Sequence, residues 1–205
     1  MAKLMYMYGA MNSRKSLDLL ATAYNFEEKN IPFIALKSSL DTRDEGVIRS
    51  RAGLERKCTI VTPDVNIYEA IRQYNNVLAV QEEKPLKWIL VDECQFLTEE
   101  QVDQLSDIVD YMDVNVLCYG LRTDFKSHLF PASKRLFEIA DSIEEVKSSC
   151  ECGKKAMINA RFDENGNIIT EGSQILVGGN EMYKPLCRKC WKDKIREKKC
   201  YEVNG

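Results

Sequence analysis

The chain is poor in several things that would fix its class at a glance. It carries one histidine, His128, in 205 residues. We read His128 as an incidental loop residue, so acid–base chemistry falls to carboxylates rather than to an imidazole. No apolar run approaches the roughly 20 residues that cross a bilayer. Residues 1–8 hold Lys3 and a short apolar stretch, without the length or cleavage pattern of a secretion signal. A cytoplasmic location without a membrane partner is expected. Neither sign of charge dominates, with a net charge of −3. A mainly electrostatic duplex binder would be basic, so nucleic acid is not the expected partner. A small anionic nucleotide remains compatible, because local field matters more than net charge. Repeats and low-complexity stretches are also missing. With 44% hydrophobic and 30% charged residues, the chain has the composition of a packed globule rather than of disorder.

What is present alternates between strand and helix patterns. Residues 4–8 read as a buried strand running into a glycine, and 16–29 as a helix with Leu17, Leu20, Ala21 and Tyr24 at helical spacing. Strands are expected at 33–36, 88–91, 114–119 and 142–147, and helices at 64–74, 98–112 and 132–140. Thr98 is a suitable N-cap with Gln101 three residues on. Residues 38–57 are polar and carry Asp41, Arg43, Asp44, Arg49, Arg51 and Arg56, which predicts a long mobile functional loop. Strands alternating with helices predict an α/β fold with a mainly parallel sheet. The pattern changes near residue 148. Segments 156–162 and 168–171 flank Asp163-Glu164-Asn165-Gly166-Asn167, a hairpin turn. A glycine-bearing loop, 172–183, and a charged helix, 188–199, follow. Two domains are expected, 1–148 and 149–205.

Gly9-Ala10-Met11-Asn12-Ser13-Arg14-Lys15-Ser16 nearly matches the phosphate-loop pattern and lies between a strand and a helix, where that mechanism needs it. Backbone N–H groups and the positive end of the helix would wrap phosphates. Lys15 would neutralise β and γ oxygens, and Ser16 would ligate Mg²⁺. Arg14 stands where the pattern has its second glycine, so by itself the match leaves an ordinary strand–turn–helix open. Ile89-Leu90-Val91-Asp92 is an apolar strand ending in a carboxylate suited to Mg²⁺ capture opposite such a loop. Glu93 follows at once. It is either a solvated carboxylate or a general base for an attacking hydroxyl.

Eight cysteines divide into kinds. Cys58, Cys94 and Cys118 sit in or beside apolar segments as small buried hydrophobes. Cys200 has no evident partner in the charged tail. Cys150-Glu151-Cys152 and Cys187-Arg188-Lys189-Cys190 supply four soft ligands from two short turns, the set for structural Zn²⁺. A disulfide pair and unligated thiols are the other readings. The basic residues after 188 are interrupted by Asp193 and Glu197, as on a solvated helix face.

Taken together, these residues resemble the zinc-containing thymidine kinases of the cellular and bacterial cytosolic type. The resemblance runs from Leu4 to Cys190. It includes Tyr8 to Ser16, Asp41-Thr42-Arg43, Asp92-Glu93-Cys94-Gln95-Phe96-Leu97, Cys118-Tyr119-Gly120-Leu121-Arg122-Thr123-Asp124-Phe125, both cysteine pairs and Gly178-Gly179-Asn180-Glu181 before Tyr183. It implies a P-loop, RecA-like sheet with helices on both faces and a small zinc-binding lasso domain. The implied reaction moves the γ-phosphoryl group of ATP to the 5′-hydroxyl of thymidine, with Glu93 as base. The loop 9–16 with Asp92, Glu93, Cys94 and Gln95 would bind ATP. Ser16, Asp92, Asp41 and Arg43 would serve Mg²⁺ and the phosphates. Met11, Phe96, Leu121, Phe125, Phe130, Ile175, Leu176 and Tyr183 would hold the nucleoside under the lasso. The resemblance also implies a homotetramer and inhibition by thymidine triphosphate. Two other readings stay open. One is a nucleotide-binding homologue impaired by Arg14. The other is a nucleic-acid-dependent ATPase with a zinc ribbon, for which 205 residues leave little room.

Overall fold

The computed structural model describes residues 1–42, 44, 46–174 and 182–204. In chain order the elements are β1 (Leu4–Gly9), α1 (Lys15–Glu28), β2 (Phe33–Ser38), β3 (Val47–Arg49), β4 (Glu55–Lys57) and β5 (Thr59–Val61). Next come α2 (Ile67–Val80), β6 (Trp88–Asp92), a single 3₁₀ turn (Cys94–Phe96), α3 (Glu99–Met112), β7 (Asn115–Leu121), α4 (Pro131–Ile139) and β8 (Ser142–Glu145). The chain closes with β9 (Ile158–Phe162), β10 (Ile168–Ile169), β11 (Tyr183–Leu186) and α5 (Arg188–Asn204).

Six strands form one sheet in the order β5-β2-β6-β7-β1-β8, and every neighbouring pair is parallel. Parallel neighbours need crossovers, and helices supply them except between β2 and β5, where the β3–β4 segment makes the connection. Side chains alternate faces along each strand, so the sheet has two apolar sides. Leu4, Tyr6, Ile89, Val91, Val116 and Cys118 meet α2, α3 and α4 through Ile71, Leu105, Ile108 and Leu136. Met5, Met7, Leu90, Leu117 and Tyr119 face the opposite way, against Leu19, Leu20 and Ala23 of α1. Helices therefore cover both faces of a mainly parallel sheet, as the alternating pattern predicts.

Local signals end the helices where the chemistry allows. At α3, Thr98 Oγ1 accepts from the Gln101 N–H at 3.0 Å, and Gln101 Oε1 accepts from the Thr98 N–H at 3.1 Å. At α2 the start is later than periodicity suggests. The Asn66 side chain accepts from the Glu69 N–H at 2.9 Å and holds residues 64–66 out of the helix, which then runs on to Val80.

One expectation needs correction. The segment 38–57 is not a bare loop, because β3 and β4 pair antiparallel within it. Ile48, fully buried, pins that ribbon to the core beneath α1, and Arg49 bonds Glu55 at 3.0 Å and Asp44 at 2.9 Å. Three-residue strands among charges are too short for periodicity to register. For the same reason β5, an edge strand, has no counterpart in the sequence reading.

A second sheet, β10-β9-β11, is antiparallel. Its hairpin turn is the expected one: Asp163 Oδ1 accepts the N–H groups of Asn165 and Asn167 at 2.9 and 2.8 Å, and Gly166 takes a positive φ. Its small core gathers Ala156, Ala160, Phe162, Ile168 and Leu186 with Ala10 of the loop after β1. The second sheet thus packs directly on the start of that loop.

The α3 cap is separable from the site. Thr98→Ala should lower the urea midpoint by an amount equivalent to about 1 kcal/mol with an unchanged slope. A shift in slope rather than midpoint would mean that more than the cap was lost.

Candidate active site

The C-terminal ends of β1, β2, β6 and β7 open on one cleft of about 570 Å³, a size that suits small ligands. The loop after β1 enters it. Gly9 is obligatory there. A Cβ at residue 9 would lie 2.5 Å from the Val146 carbonyl oxygen and 2.4 Å from Ser13 Oγ. Asn12 and Arg14 both take left-handed backbone, with φ of 62° and 67°. Arg14 thus adopts the glycine-like conformation that the phosphate-loop pattern calls for, at a cost of about 1–2 kcal/mol for a residue with a Cβ. Its side chain is exposed. Arg14 also serves as the N-cap of α1 without a side-chain bond to the first turn, which leaves the helix's opening N–H groups available to an anion.

Lys15 is buried, and its ammonium donates to the Ala10 carbonyl at 2.9 Å and to Ser13 Oγ at 3.2 Å. Ser16 Oγ lies 3.2 Å from both carboxylate oxygens of Asp92 and donates to them. Asp92 is buried at the end of β6. Burial, and secondarily the neighbouring Glu93 carboxylate, push its pKa up to about 7 against the opposing pull of Lys15 and the Ser16 hydroxyl. Glu93 follows in left-handed backbone, φ 49° and ψ 42°. Non-glycine residues held there concentrate at functional sites. Gln95 Nε2 donates to Glu93 Oε2 at 2.6 Å. From β2, Lys37 pairs with Asp41 at 3.1 Å, both buried, and also donates to the carbonyls of Asp44 and Val47.

The other half of the cleft is apolar. Phe96 and Phe130 stack edge to face at 6.0 Å, Leu121 closes one wall, and Phe125 lies buried with the Arg161 guanidinium 5.3 Å from its ring centre. Tyr183 is half-buried at the rim, and burial raises its phenol pKa. Charged, polar and apolar residues therefore meet in one space.

Several anticipated residues fall elsewhere. Gly9 and Ala10 lie behind the cleft rather than in its lining. The Met11 N–H is spent on Asn159 Oδ1 at 2.7 Å, while the side chain lines the cleft. Cys94 does not line it either. It is fully buried, in the core shared with α3 and α4. Arg43, Ile175 and Leu176 lie outside the described residues. The sequence reading missed Lys37, Asn159, Asp124 and Gln174, all in the lining. Asn159 also donates to the Thr123 carbonyl at 2.8 Å, and Asp124 accepts from Gln174 at 3.1 Å. Lys37 had a usable signal, a charged residue closing the apolar run of β2 as Asp92 closes β6, whereas Asn159 shares its short strand with Arg161 and does not stand out. Asp124 lay within the stretch that carries the resemblance but was given no role, and Gln174 had no signal, because only folding brings the two together.

The four cysteines converge as their spacing predicts. The sulfurs of Cys150, Cys152, Cys187 and Cys190 all lie within 4.8 Å of one another, with Cys152 and Cys187 at 3.7 Å. Tetrahedral ligation with metal–sulfur bonds of ~2.3 Å implies S–S separations close to that. The Cys190 N–H reaches Cys187 Sγ at 3.5 Å, and this bond draws the Cys187 thiol down to about 6. Four crowded thiols cannot all ionise without a cation, so the donor set fits a structural metal ion.

A sequence model of the family described as "Thymidine kinase" matches residues 2–191. Proteins named "Thymidine kinase" are similar along nearly the whole chain. The one from Shouchella clausii is 45% identical over 192 residues, covering 93% of this chain and 96% of its own length. The one from Shewanella oneidensis is 42% identical, covering 95% and 99%. The one from Enterobacteria phage T4 is 44% identical, covering 94% and 97%.

Asp92 gives the site a pH signature. Its folded pKa of about 7 lies above the ~3.9 of an unfolded aspartate. Between these values the native state holds a proton that the unfolded chain has released. The stability tied to that proton is complete below about pH 4 and is lost as pH rises to about 7. Asp92→Asn removes the titration. Without added magnesium, the wild type should lose urea-unfolding stability relative to Asp92→Asn between pH 5 and 7.5, by on the order of 1–3 kcal/mol. A difference that stays flat across that range contradicts the assignment.

Proposed function

The chain belongs to the thymidine kinase family, and on that footing we propose that its cleft moves the γ-phosphoryl group of ATP to the 5′-hydroxyl of thymidine, giving thymidine monophosphate and ADP. The observation that carries this reading is the Ser16–Asp92 hydrogen bond beside Glu93, set against an apolar pocket in the same cleft. Phosphoryl transfer asks for alignment and charge neutralisation more than for covalent chemistry.

The triphosphate lies along the loop 9–16 and the first turn of α1, with Lys15 against the β and γ oxygens. Arg43, by family resemblance, would meet the phosphates, while Ser16, Asp92 and Asp41 would hold the magnesium ion. Their hard oxygen donors fit it, and when bound it neutralises charge on the β and γ phosphates. Glu93 accepts the proton of the 5′-hydroxyl as that oxygen bonds to the γ-phosphorus. The bond from γ-phosphorus to the bridging oxygen breaks, and its electrons leave with ADP. Phe96, Leu121, Phe125 and Phe130 enclose the thymine, its methyl group against apolar wall, with Tyr183 at the sugar. Residues 149–205 act as the zinc-held unit that shapes this pocket, and residues 1–148 as the donor unit.

Homotetramer assembly and inhibition by thymidine triphosphate belong to the same reading. The exposed Tyr74, Val77 and Val80 of α2 offer apolar surface for a subunit contact. A cytoplasmic location accords with the unpaired thiols of Cys94 and Cys118. The impaired-homologue alternative is the weaker one, since the left-handed backbone at Arg14 preserves the glycine-type path of the loop.

Radiolabelled ATP, offered with thymidine, deoxyuridine and deoxycytidine in turn, tests the function. Label should reach thymidine, and Glu93→Gln should lower kcat by about 10²–10⁴-fold with an unchanged circular dichroism spectrum. Absence of labelled nucleoside at millimolar Mg-ATP would reduce the protein to a nucleotide binder.

Arg14→Gly should tighten ATP binding about three- to tenfold by calorimetry, because the backbone can then approach the phosphates without a side chain intervening. Weaker binding would instead mean that the guanidinium itself contacts the phosphates.

A further inference from the structure

Gln95 lies beside the phosphate-handling groups, 2% exposed, yet both ends of its amide are committed to the protein. A side-chain amide has one accepting end and one donating end. The Leu121 N–H can only donate, and it meets Gln95 Oε1 at 2.8 Å. That contact decides which way the amide faces and turns Nε2 toward Glu93, whose Oε2 accepts at 2.6 Å. The anchor is itself held from two sides. The Leu121 carbonyl accepts the Tyr6 hydroxyl at 2.9 Å and the Ser133 hydroxyl at 2.6 Å.

Packing fills the rest of the space around the amide. A Cβ at residue 120 would stand 2.7 Å from Gln95 Oε1, 3.2 Å from the Gln95 nitrogen and 2.5 Å from Cys94 Sγ. Gly120 has no positive φ, so the glycine is there for the close approach of Gln95 and Cys94 and not for a turn. Glu93, meanwhile, sits on a left-handed kink between β6 and the 3₁₀ turn. On such a kink a carboxylate takes its aim from whatever tethers it.

From this geometry we propose that Gln95 is a positioning residue for the reaction: it ties the Glu93 carboxylate to the Leu121 backbone and so registers the base against the wall of the nucleoside pocket. The side chain of Leu121 lines that pocket. One hydrogen-bonded relay, Glu93 to Gln95 to Leu121, therefore couples where the proton is taken to where the nucleoside rests. The proposal rests on the reading of Glu93 as general base. It gives Gln95 a role other than contact with ATP phosphates.

Three measurements test it. Gln95→Met keeps the volume and removes the donor. It should lower kcat about ten- to a hundredfold while KM for ATP and thymidine stays within about threefold. Gln95→Glu keeps an acceptor for the Leu121 N–H but sets a carboxylate against Glu93, and should lose as much kcat. It serves as the test if the methionine variant fails to fold. In a Glu93→Gln background, single-turnover rates should fall no further on adding Gln95→Met, since a residue acting only through another loses its effect when that other is gone. An unchanged kcat, a raised KM for ATP at constant kcat, or the same loss in both backgrounds would each overturn the proposal. Full turnover by Glu93→Gln alone is a different result, because it removes the base assignment itself.

Discussion

The site depends on one geometric constraint, the parallel register of four adjacent strands. β1 pairs with β7 so that Gly9 stands opposite Leu121, and β6 pairs with β2 so that Asp92 stands opposite Lys37. Parallel strands all finish at the same edge of a sheet, and ligands in such sheets settle outside that edge. Lys15 and Ser16 arrive from the end of β1, Asp41 from β2, Asp92 and Glu93 from β6, and Leu121 from β7. Helices pack on both faces, so the strands stay apolar until their last residues. The polar groups therefore gather where the strands stop.

That gathering carries a cost, which the fold distributes. Asp92 is buried beside a second carboxylate and is held by the Ser16 hydroxyl and the field of Lys15. Lys37 and Asp41 neutralise one another out of water. Arg14 and Glu93, both lining the cleft, sit in left-handed backbone without being glycine. Strain of this kind persists only where surrounding packing over-determines it. Gly9 and Gly120 supply that packing by letting neighbours approach where a methyl group would collide.

The cysteine-held sheet takes part in the site as well. Asn159 on β9 accepts from Met11 in the phosphate loop and donates to Thr123 beyond β7, and Ala10 is part of the small core beneath it. The loop after β1 and the loop after β7 are thus bridged by one buried amide on the second sheet. A metal ion at the cysteines, by fixing the turn at 150–152 to the start of α5, would hold that bridge in place.

By itself the amino-acid sequence determined the parallel α/β class, the loop between the first strand and helix, the strand-end carboxylates and the four-cysteine set. Each is a local pattern: apolar periodicity, a loop between strand and helix, a carboxylate closing an apolar run, two short cysteine turns. The capping box at Thr98 and the hairpin turn at Asp163 were legible for the same reason, since their hydrogen bonds close within a few residues. The β3–β4 ribbon escaped because strands of three residues are too short for an alternation to register. Only the tertiary structure decided that Asn159 bridges two sheets, that Asp124 meets Gln174, that Cys94 turns into the core, and that Gln95 faces Glu93 and Leu121 rather than solvent. Those outcomes join residues up to 148 positions apart or depend on which way a side chain leaves a kinked backbone. Chain register and packing set both, and no local spacing encodes either one.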